Sequence, residues 1–181
     1  MLVLETKRLI LRPWCQQDAQ NLYTYAKDPD IGLPAGWPPH TSVENSREII
    51  RNVFSAPHTF AVCLKDGTAI GSIGLKLKDY TDMTDRDDEC ELGYWIGKPY
   101  WGQGLIPEAA QELLRYAFEQ LGMTTVWCGY YEGNEKSRRV QEKLGFIYCY
   151  TTKDLELKLL NEVRVGHTQK LTKADWCARH R

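Results

Sequence analysis

One α/β domain with a mixed, largely antiparallel sheet is the fold class this sequence predicts. Three observations predict it. Short runs alternate at the strand period through the middle and end of the chain. A single long amphipathic stretch after Gly104 follows the helix period. Neither an internal repeat nor a low-complexity linker divides the 181 residues, so residues 1–181 are expected to form one domain with a core of ordinary size.

In chain order, Leu9–Trp14 reads as a first strand that stops at Pro13. Ala19, Leu22, Tyr23 and Ala26 then fall at helical spacing, placing a first helix from Gln17 to Lys27. The stretch "DPDIGLPAGWPPH" carries four prolines and Trp37 and is expected to be a loop. Thr41 and Glu44 form a T-x-x-E capping box that opens a second helix, with Ile50, Val53 and Phe54 inward. "TFAVCL" and "AIGSIGLKLK" make a hairpin across the turn at Asp66-Gly67. A polar segment, "DYTDMTDRDDE", leads to the strand "CELGYWI".

The strongest helix signal follows. Ile106, Ala109, Ala110, Leu113, Leu114, Ala117, Phe118 and Leu121 form one apolar stripe, with Pro107 suited to the first helical position and Gly122 to the exit. "TTVWCGYY" is a strand. "NEKSRRVQEKLG" is a helix capped by Asn134 and ended by Gly145, and "FIYCYTT" and "EVRVGHTQKL" are closing strands. The order gives about seven strands and about four helices. The strands on either side of the long helix should be parallel neighbours joined by a right-handed crossover.

Composition removes several function classes. A net charge of −1 gives no global attraction for nucleic acid or an anionic membrane, and no apolar run reaches bilayer length. The first residues are too charged for a signal peptide, which points to the cytoplasm. The six cysteines and four histidines lack metal-ligand spacing, so no metal site is expected, and the thiols should be reduced and mostly buried.

Chemistry concentrates in Trp101-Gly102-Gln103-Gly104, between an apolar strand and a helix start. Backbone N–H groups and the positive helix end there suit a phosphate. The spelling excludes a Walker loop, which needs G-x-x-x-x-G-K-[ST], and a dinucleotide fingerprint, because Pro107 stands where the third glycine belongs. A tight strand–helix turn with no ligand remains an equal alternative on these residues alone.

"YWIGKPYWGQGLIPEA" followed by "NEKSRRVQEKLGF" resembles the GNAT superfamily of acetyl-CoA-dependent N-acetyltransferases. "LETKRLILRPW", "GWPPHTS" and "KLTKADW" resemble the branch that includes the Rim-type ribosomal-protein alanine acetyltransferases. The resemblance covers nearly the whole chain. It implies the GNAT fold with a splayed parallel strand pair, acetyl-CoA as co-substrate, and an amine acceptor. Among its implications, the family's Q/R-x-x-G-x-G/A turn around the coenzyme A pyrophosphate maps onto Trp101, Gly102, Gln103, Gly104, Leu105 and Ile106. Two positions depart from it. Pro99 replaces the usual Gln or Arg, and Pro107 replaces a Thr common in this branch, so the grip should be almost purely backbone.

Backbone near Trp95 and Ile96 is implied to pair with the pantetheine arm, and an N–H there to face the thioester oxygen. Glu91 is the candidate general base or water-orienting group, with Glu89 in reserve; either carboxylate has an alternative as a structural hydrogen-bonding partner. Gln141 stands where many family members carry a proton-donating Tyr. Ser137 matches the Ser of the Rim-like branch near the sulfur, and Asn134 would hold the pantetheine amide. Tyr130 and Tyr131 are alternative donors. Asp79, Asp82, Asp85, Asp87, Asp88, Glu89 and Glu91, opposed within their segment by Arg86 alone, would favour a cationic acceptor such as a peptide N-terminus or a small-molecule amine, or form only a solvated loop. Trp37 is either a wall of the acceptor pocket or a pin for its proline-rich loop. The other class of function is a GNAT-fold module that binds acetyl-CoA without turnover. Related proteins are often homodimers.

Overall fold

The computed structural model describes residues 2–180. The chain divides into two compact units, one formed by residues up to Gly74 together with Tyr94–Glu112, the other by Leu75–Gly93 with the residues from Leu113 onward. Among the described residues eight strands and six α-helices stand where about seven and four were expected, because three short elements escaped the sequence reading.

In the first unit, β1 (Leu4–Glu5) and β2 (Leu9–Arg12) are antiparallel, with Leu4 opposite Leu11. Two residues give β1 no readable period. The α1 helix (Ala19–Ala26) follows a short 3₁₀ turn at Gln16–Asp18 and buries Ala19, Leu22 and Ala26. The expected loop contains a helix, α2 (Pro29–Ala35). Asp28 caps it by accepting from the Asp30 amide, Pro29 occupies the first turn, and Gly36 closes it in the left-handed region at φ 89°. Prolines signalled a loop, yet Pro29 lies where no intrahelical N–H is needed.

The α3 helix (Val43–Asn52) begins one residue later than the T-x-x-E pattern implied. Ser42 Oγ accepts from the Asn45 amide at 3.0 Å, and Asn45 Oδ1 accepts from the Thr41 amide at 3.1 Å. Ser42 is therefore the cap, and Asn45 reaches back past it to Thr41. Glu44 pairs instead with Arg47. Ile50 is inward, but Val53 is 51% exposed because it falls past the last helical turn. Strands β3 (Thr59–Leu64) and β4 (Ala69–Leu77) form the expected hairpin, and Gly67 holds its turn at φ 91°. Here the strand order is β1-β2-β3-β4. Trp14, Ala19, Leu22, Ala26, Ile50 and Ala61 build the core, and Trp14 stacks on Phe54 at 5.0 Å.

Strand β5 (Glu89–Ile96) begins in the second unit and ends in the first. The α4 helix (Leu105–Arg115) starts two residues before Pro107, which costs no hydrogen bond because Pro107 still lies in the first turn. It continues as a π-helical segment, Tyr116–Gln120, and ends at Gly122 with φ 71°. The predicted stripe is inside: Ala109, Ala110, Leu113, Leu114, Ala117 and Phe118 are at most 1% exposed. Each fully buried Leu or Phe contributes on the order of 1.5–3 kcal/mol.

In the second unit, β6 (Thr125–Tyr131), α5 (Glu135–Leu144), β7 (Ile147–Leu157), β8 (Glu162–Thr172) and a tail helix α6 (Lys173–Arg179) follow. The order here is β4-β5-β6-β8-β7. As predicted, β5 and β6 are parallel, and their ladder covers Glu89↔Thr125 to Glu91↔Trp127. Beyond it β6 stays paired with β8 as far as Tyr131↔Gly166, so β5 parts from β6 at Leu92. Thr172 caps α6 through the Asp175 amide. Trp176 packs on Phe118, with ring centroids 5.4 Å apart.

All six cysteines are free, with Cys63, Cys90 and Cys128 buried, Cys149 and Cys177 half-buried and Cys15 exposed. Among the described residues no helix is long and apolar enough to cross a membrane.

Candidate active site

The residues singled out from sequence fall into two clusters, one in each unit. In the first unit, β5 runs close to β4. A Cβ on Gly71 would lie 2.4 Å from the Trp95 carbonyl oxygen. Only glycine permits that approach. The Trp95 carbonyl is thus turned toward β4, as is the Gly97 amide, which donates to Ile70 O at 2.8 Å. Backbone direction alternates along a strand, so the Ile96 N–H and C=O point to the edge away from β4. The Ile96 carbonyl accepts from the Trp101 indole at 3.0 Å. Trp37 meets the Trp95 ring at 5.7 Å and lies over Gly32, where a Cβ would be 2.5 Å away. It therefore pins α2 to the core.

The turn that follows has Gly102 at φ 73° and Gly104 at φ 72°. Both glycines are required by the left-handed backbone, not by crowding. A Cβ on Gly102 would meet nothing within 4 Å, and one on Gly104 only Arg8 Nη2 at 3.8 Å. Open space therefore lies beside the glycine α-carbons. Helix geometry leaves the first four N–H groups of α4 without intrahelical partners. These positions are Gly104, Leu105, Ile106 and Pro107, because the Glu108 amide makes the first helical bond, to Gly104 O at 3.2 Å. Pro107 has no N–H, so Gly104, Leu105 and Ile106 supply the three free of the helix ladder. Gln103 ties the loop to its entrance through Nε2 and Pro99 O at 3.0 Å, so Pro99 contributes a carbonyl where a longer side chain was usual.

The second cluster surrounds Gly129 on β6. Its carbonyl accepts from Gln141 Nε2 at 3.0 Å, and Gln141 Nε2 also reaches Ser137 Oγ at 3.1 Å. Gln141 is fully buried, and its Oε1 has no hydrogen-bond partner. Asn134 Oδ1 accepts from the Ser137 amide at 3.2 Å. That cap fixes Ser137 in the first turn of α5. Sequence had set Gln141 aside as unable to give an acidic proton. Its i,i+4 spacing from Ser137 was the signal that the two would meet.

On the other side of Gly129, a Cβ would lie 2.7 Å from Met83 Cε. Met83 belongs to the acidic segment, whose anchors are the two candidate carboxylates. Glu91 is 9% exposed and accepts from Lys76 Nζ at 2.7 Å and Thr81 Oγ1 at 2.5 Å. Glu89 accepts from Thr84 Oγ1 at 2.7 Å and Trp127 Nε1 at 2.6 Å, and pairs with Arg86 at 3.2 Å. Burial works against the Lys76 charge, but the Glu91 carboxylate outweighs it and leaves its pKa above the ordinary lysine value. Burial raises the Tyr131 pKa, and Lys76 partly offsets that. Asp87 pairs with Lys78 and Asp88 with Arg86, so much of the segment's negative charge is answered locally. The sequence count missed Lys76 and Lys78, which precede the acidic run on β4 and just after it. Among the described residues no group of His, Cys, Asp and Glu could hold a metal ion.

The structure thus offers a strand that leaves its parallel neighbour, a left-handed double-glycine turn and an open helix start. Comparison with known proteins gives the family. Residues 8–147 match the acetyltransferase (GNAT) domain model, and the chain belongs to that family of acyltransferases. It is 40% identical over 84 residues to "Putative ribosomal N-acetyltransferase YdaF" of Bacillus subtilis (strain 168), a match that spans 46% of this chain and 43% of the relative. It is 28% identical over 152 residues, 81% of this chain and 83% of the relative, to "Uncharacterized N-acetyltransferase p20" of Bacillus licheniformis. A GNAT-family acetyltransferase structure from Bacillus anthracis superposes with a TM-score of 0.83 at 21% identity, covering 96% of this chain and 99% of the other.

Proposed function

We propose that this enzyme transfers an acetyl group from acetyl-CoA to a primary amine by direct attack within a ternary complex. The observation that carries the reading is the turn at Gly102 and Gly104, whose left-handed backbone leaves open space at the start of α4 in a chain of this family. Trp101, Gly102, Gln103, Gly104, Leu105 and Ile106 would hold the pyrophosphate, chiefly through amides.

Acetyl-CoA supplies an activated thioester carbonyl. The Ile96 N–H, on the edge of β5 away from β4, would bind the arm and the thioester oxygen as charge develops on it. Trp95, whose carbonyl is turned to β4, holds that backbone in place from the other side. Glu91 takes the amine proton through a water. A carboxylate has about four acceptor sites, and Lys76 and Thr81 occupy two of them. Asn134 is assigned to the pantetheine amide. Ser137 is assigned to the leaving thiolate as proton donor, its oxygen accepting from Gln141 Nε2.

The name of the Bacillus subtilis relative favours a protein amine as acceptor, which is our first choice over a small-molecule amine. The local pairing of the acidic segment lowers the weight of its charge in that choice. Six free cysteines support a reducing, cytoplasmic setting. Thiol release from acetyl-CoA, measured against α-amino peptides, polyamines and aminoglycosides, tests the proposal. Amine-dependent release is expected. Thermal stabilisation by coenzyme A without release on any amine would support the alternative, a sensor that binds the cofactor without turnover.

A further inference from the structure

The double-glycine turn raises a question of its own. The facing of the Gln103–Gly104 peptide is set by ψ of Gln103 and φ of Gly104, and Gly104 reaches left- and right-handed φ at low cost. Only one facing turns the Gly104 amide to the anion side. Something outside the turn must choose.

Arg8 is positioned to do so. Its Nη1 donates to the Gln103 carbonyl at 3.0 Å. A trans peptide points its C=O and N–H in opposite directions, so a carbonyl drawn to Arg8 aims the Gly104 amide away from it. Arg8 is itself held firmly. Its Nε donates to Glu108 Oε2 at 2.6 Å, its backbone amide donates to Glu108 Oε1 at 2.8 Å, and Thr6 Oγ1 donates to the same Oε1 at 2.6 Å. Thr6 is fixed in turn, because its amide donates to Leu9 O and its hydroxyl accepts from the Leu9 amide, each at 3.0 Å. The turn joining β1 to β2 thus carries a tethered guanidinium to the start of α4.

We propose that Arg8 is a positioning residue that sets the Gln103–Gly104 peptide in its anion-binding orientation, with Glu108 and Thr6 as its mount. The proposal rests on the acetyl-CoA reading above. As an ion pair, Arg8–Glu108 is worth little, since the Arg8 side chain is 45% exposed. Its value is geometric: the planar fork spans a carboxylate and a carbonyl at once, which a lysine cannot do. Burial works against ionisation of Glu108, but Thr6 and Arg8 outweigh it and keep the carboxyl below the usual range, so the mount stays charged at neutral pH. The same contacts turn that carboxylate toward Arg8 and Thr6, its donors.

The test is calorimetric titration of coenzyme A into wild type, Arg8→Lys, Arg8→Met, Glu108→Gln and the Arg8→Met/Glu108→Gln double variant. Acetyl-pantetheine, which lacks the pyrophosphate, is the control ligand, and melting temperatures are recorded for each protein. Arg8→Lys and Arg8→Met should lose about tenfold or more in coenzyme A affinity, with the response to acetyl-pantetheine unchanged. The double variant should not recover. Binding by Arg8→Lys and Arg8→Met within about twofold of wild type would overturn the proposal. So would equal losses for both ligands, which would make Arg8 a general structural residue, or recovery in the double variant, which would reduce its role to neutralising Glu108. Wild type that binds no coenzyme A would defeat the acetyl-CoA reading itself, a result distinct from these.

Discussion

The turn at Trp101–Ile106 and the cluster around Gly129 solve different problems with different parts of the chain. In the turn, side chains are tethers: Gln103 to Pro99, Arg8 to the Gln103 carbonyl, Trp101 to the Ile96 carbonyl. Under the proposed function the groups offered to a ligand would be amides. Around Gly129 the carbonyl is taken by Gln141 and side chains would be the reagents, with Ser137 held by Gln141 and Glu91 held by Lys76 and Thr81. A backbone site tolerates sequence change at every position except those that set φ. A side-chain site depends on each partner in its network.

Substitution at Gly102 should break that contrast most severely. The residue sits at φ 73°. Gly102→Asp should abolish coenzyme A binding, a loss of roughly a hundredfold or more, because it adds negative charge beside the phosphate and disfavours that left-handed backbone. A Cβ at this position meets nothing nearby, so Gly102→Ala isolates the backbone part of the effect. That part should cost roughly 1–2 kcal/mol. If Gly102→Asp titrates like wild type, the turn is only a strand–helix connection.

Next in size is Ser137→Ala, expected to lower kcat roughly a hundredfold with the KM for acetyl-CoA unchanged. Gln141→Leu should lower kcat about tenfold, since it leaves the hydroxyl present but unaimed. A thioester with a more acidic leaving thiol should rescue both, and failure of that rescue would remove the proton-donor role from Ser137.

Glu91→Gln separates two readings of one residue. As a base, Glu91 should cost kcat on the order of a hundredfold with little change in melting temperature. As an anchor for Thr81 and Met83 alone, it should lower the melting temperature and spare kcat.

The smallest expected effect concerns the core of the first unit. Burial pushes the His40 pKa down, while its Nδ1 lies 2.8 Å from Ser46 Oγ. A depressed folded pKa means the folded state binds fewer protons than the unfolded chain, whose His titrates at about 6.5. The contribution of His40 is therefore present above that pH and is lost as pH falls toward the folded value. Melting temperature should decline on acidification through this window, and His40→Gln should flatten the decline.

Legibility in the sequence followed range. Gly102, Gly104, the stripe of α4, the cap at Asn134 and the stop at Gly145 were readable because each acts through bonds to residues a few positions away. The α2 helix was missed because prolines were weighed as breakers, although Asp28-Pro29 and Gly36 spell a start and a stop. β1 was missed because two residues have no period, and the tail helix because its seven residues carry too few apolar positions to show one. Of the carboxylates, sequence could name Glu89 and Glu91 but not their partners on β4, β6 and the polar segment.

By itself, then, the sequence determined the longer elements and where the backbone takes left-handed turns, since period, caps and φ are local properties. Tertiary structure alone decided that the β1–β2 turn delivers Arg8 to Gln103, that Gln141 serves Ser137, and that Lys76 answers Glu91. Arg8 and Gln103 are separated by 95 positions in the chain. Contacts of that kind exist only once strands have paired, because no local preference records which distant donor a carbonyl will meet.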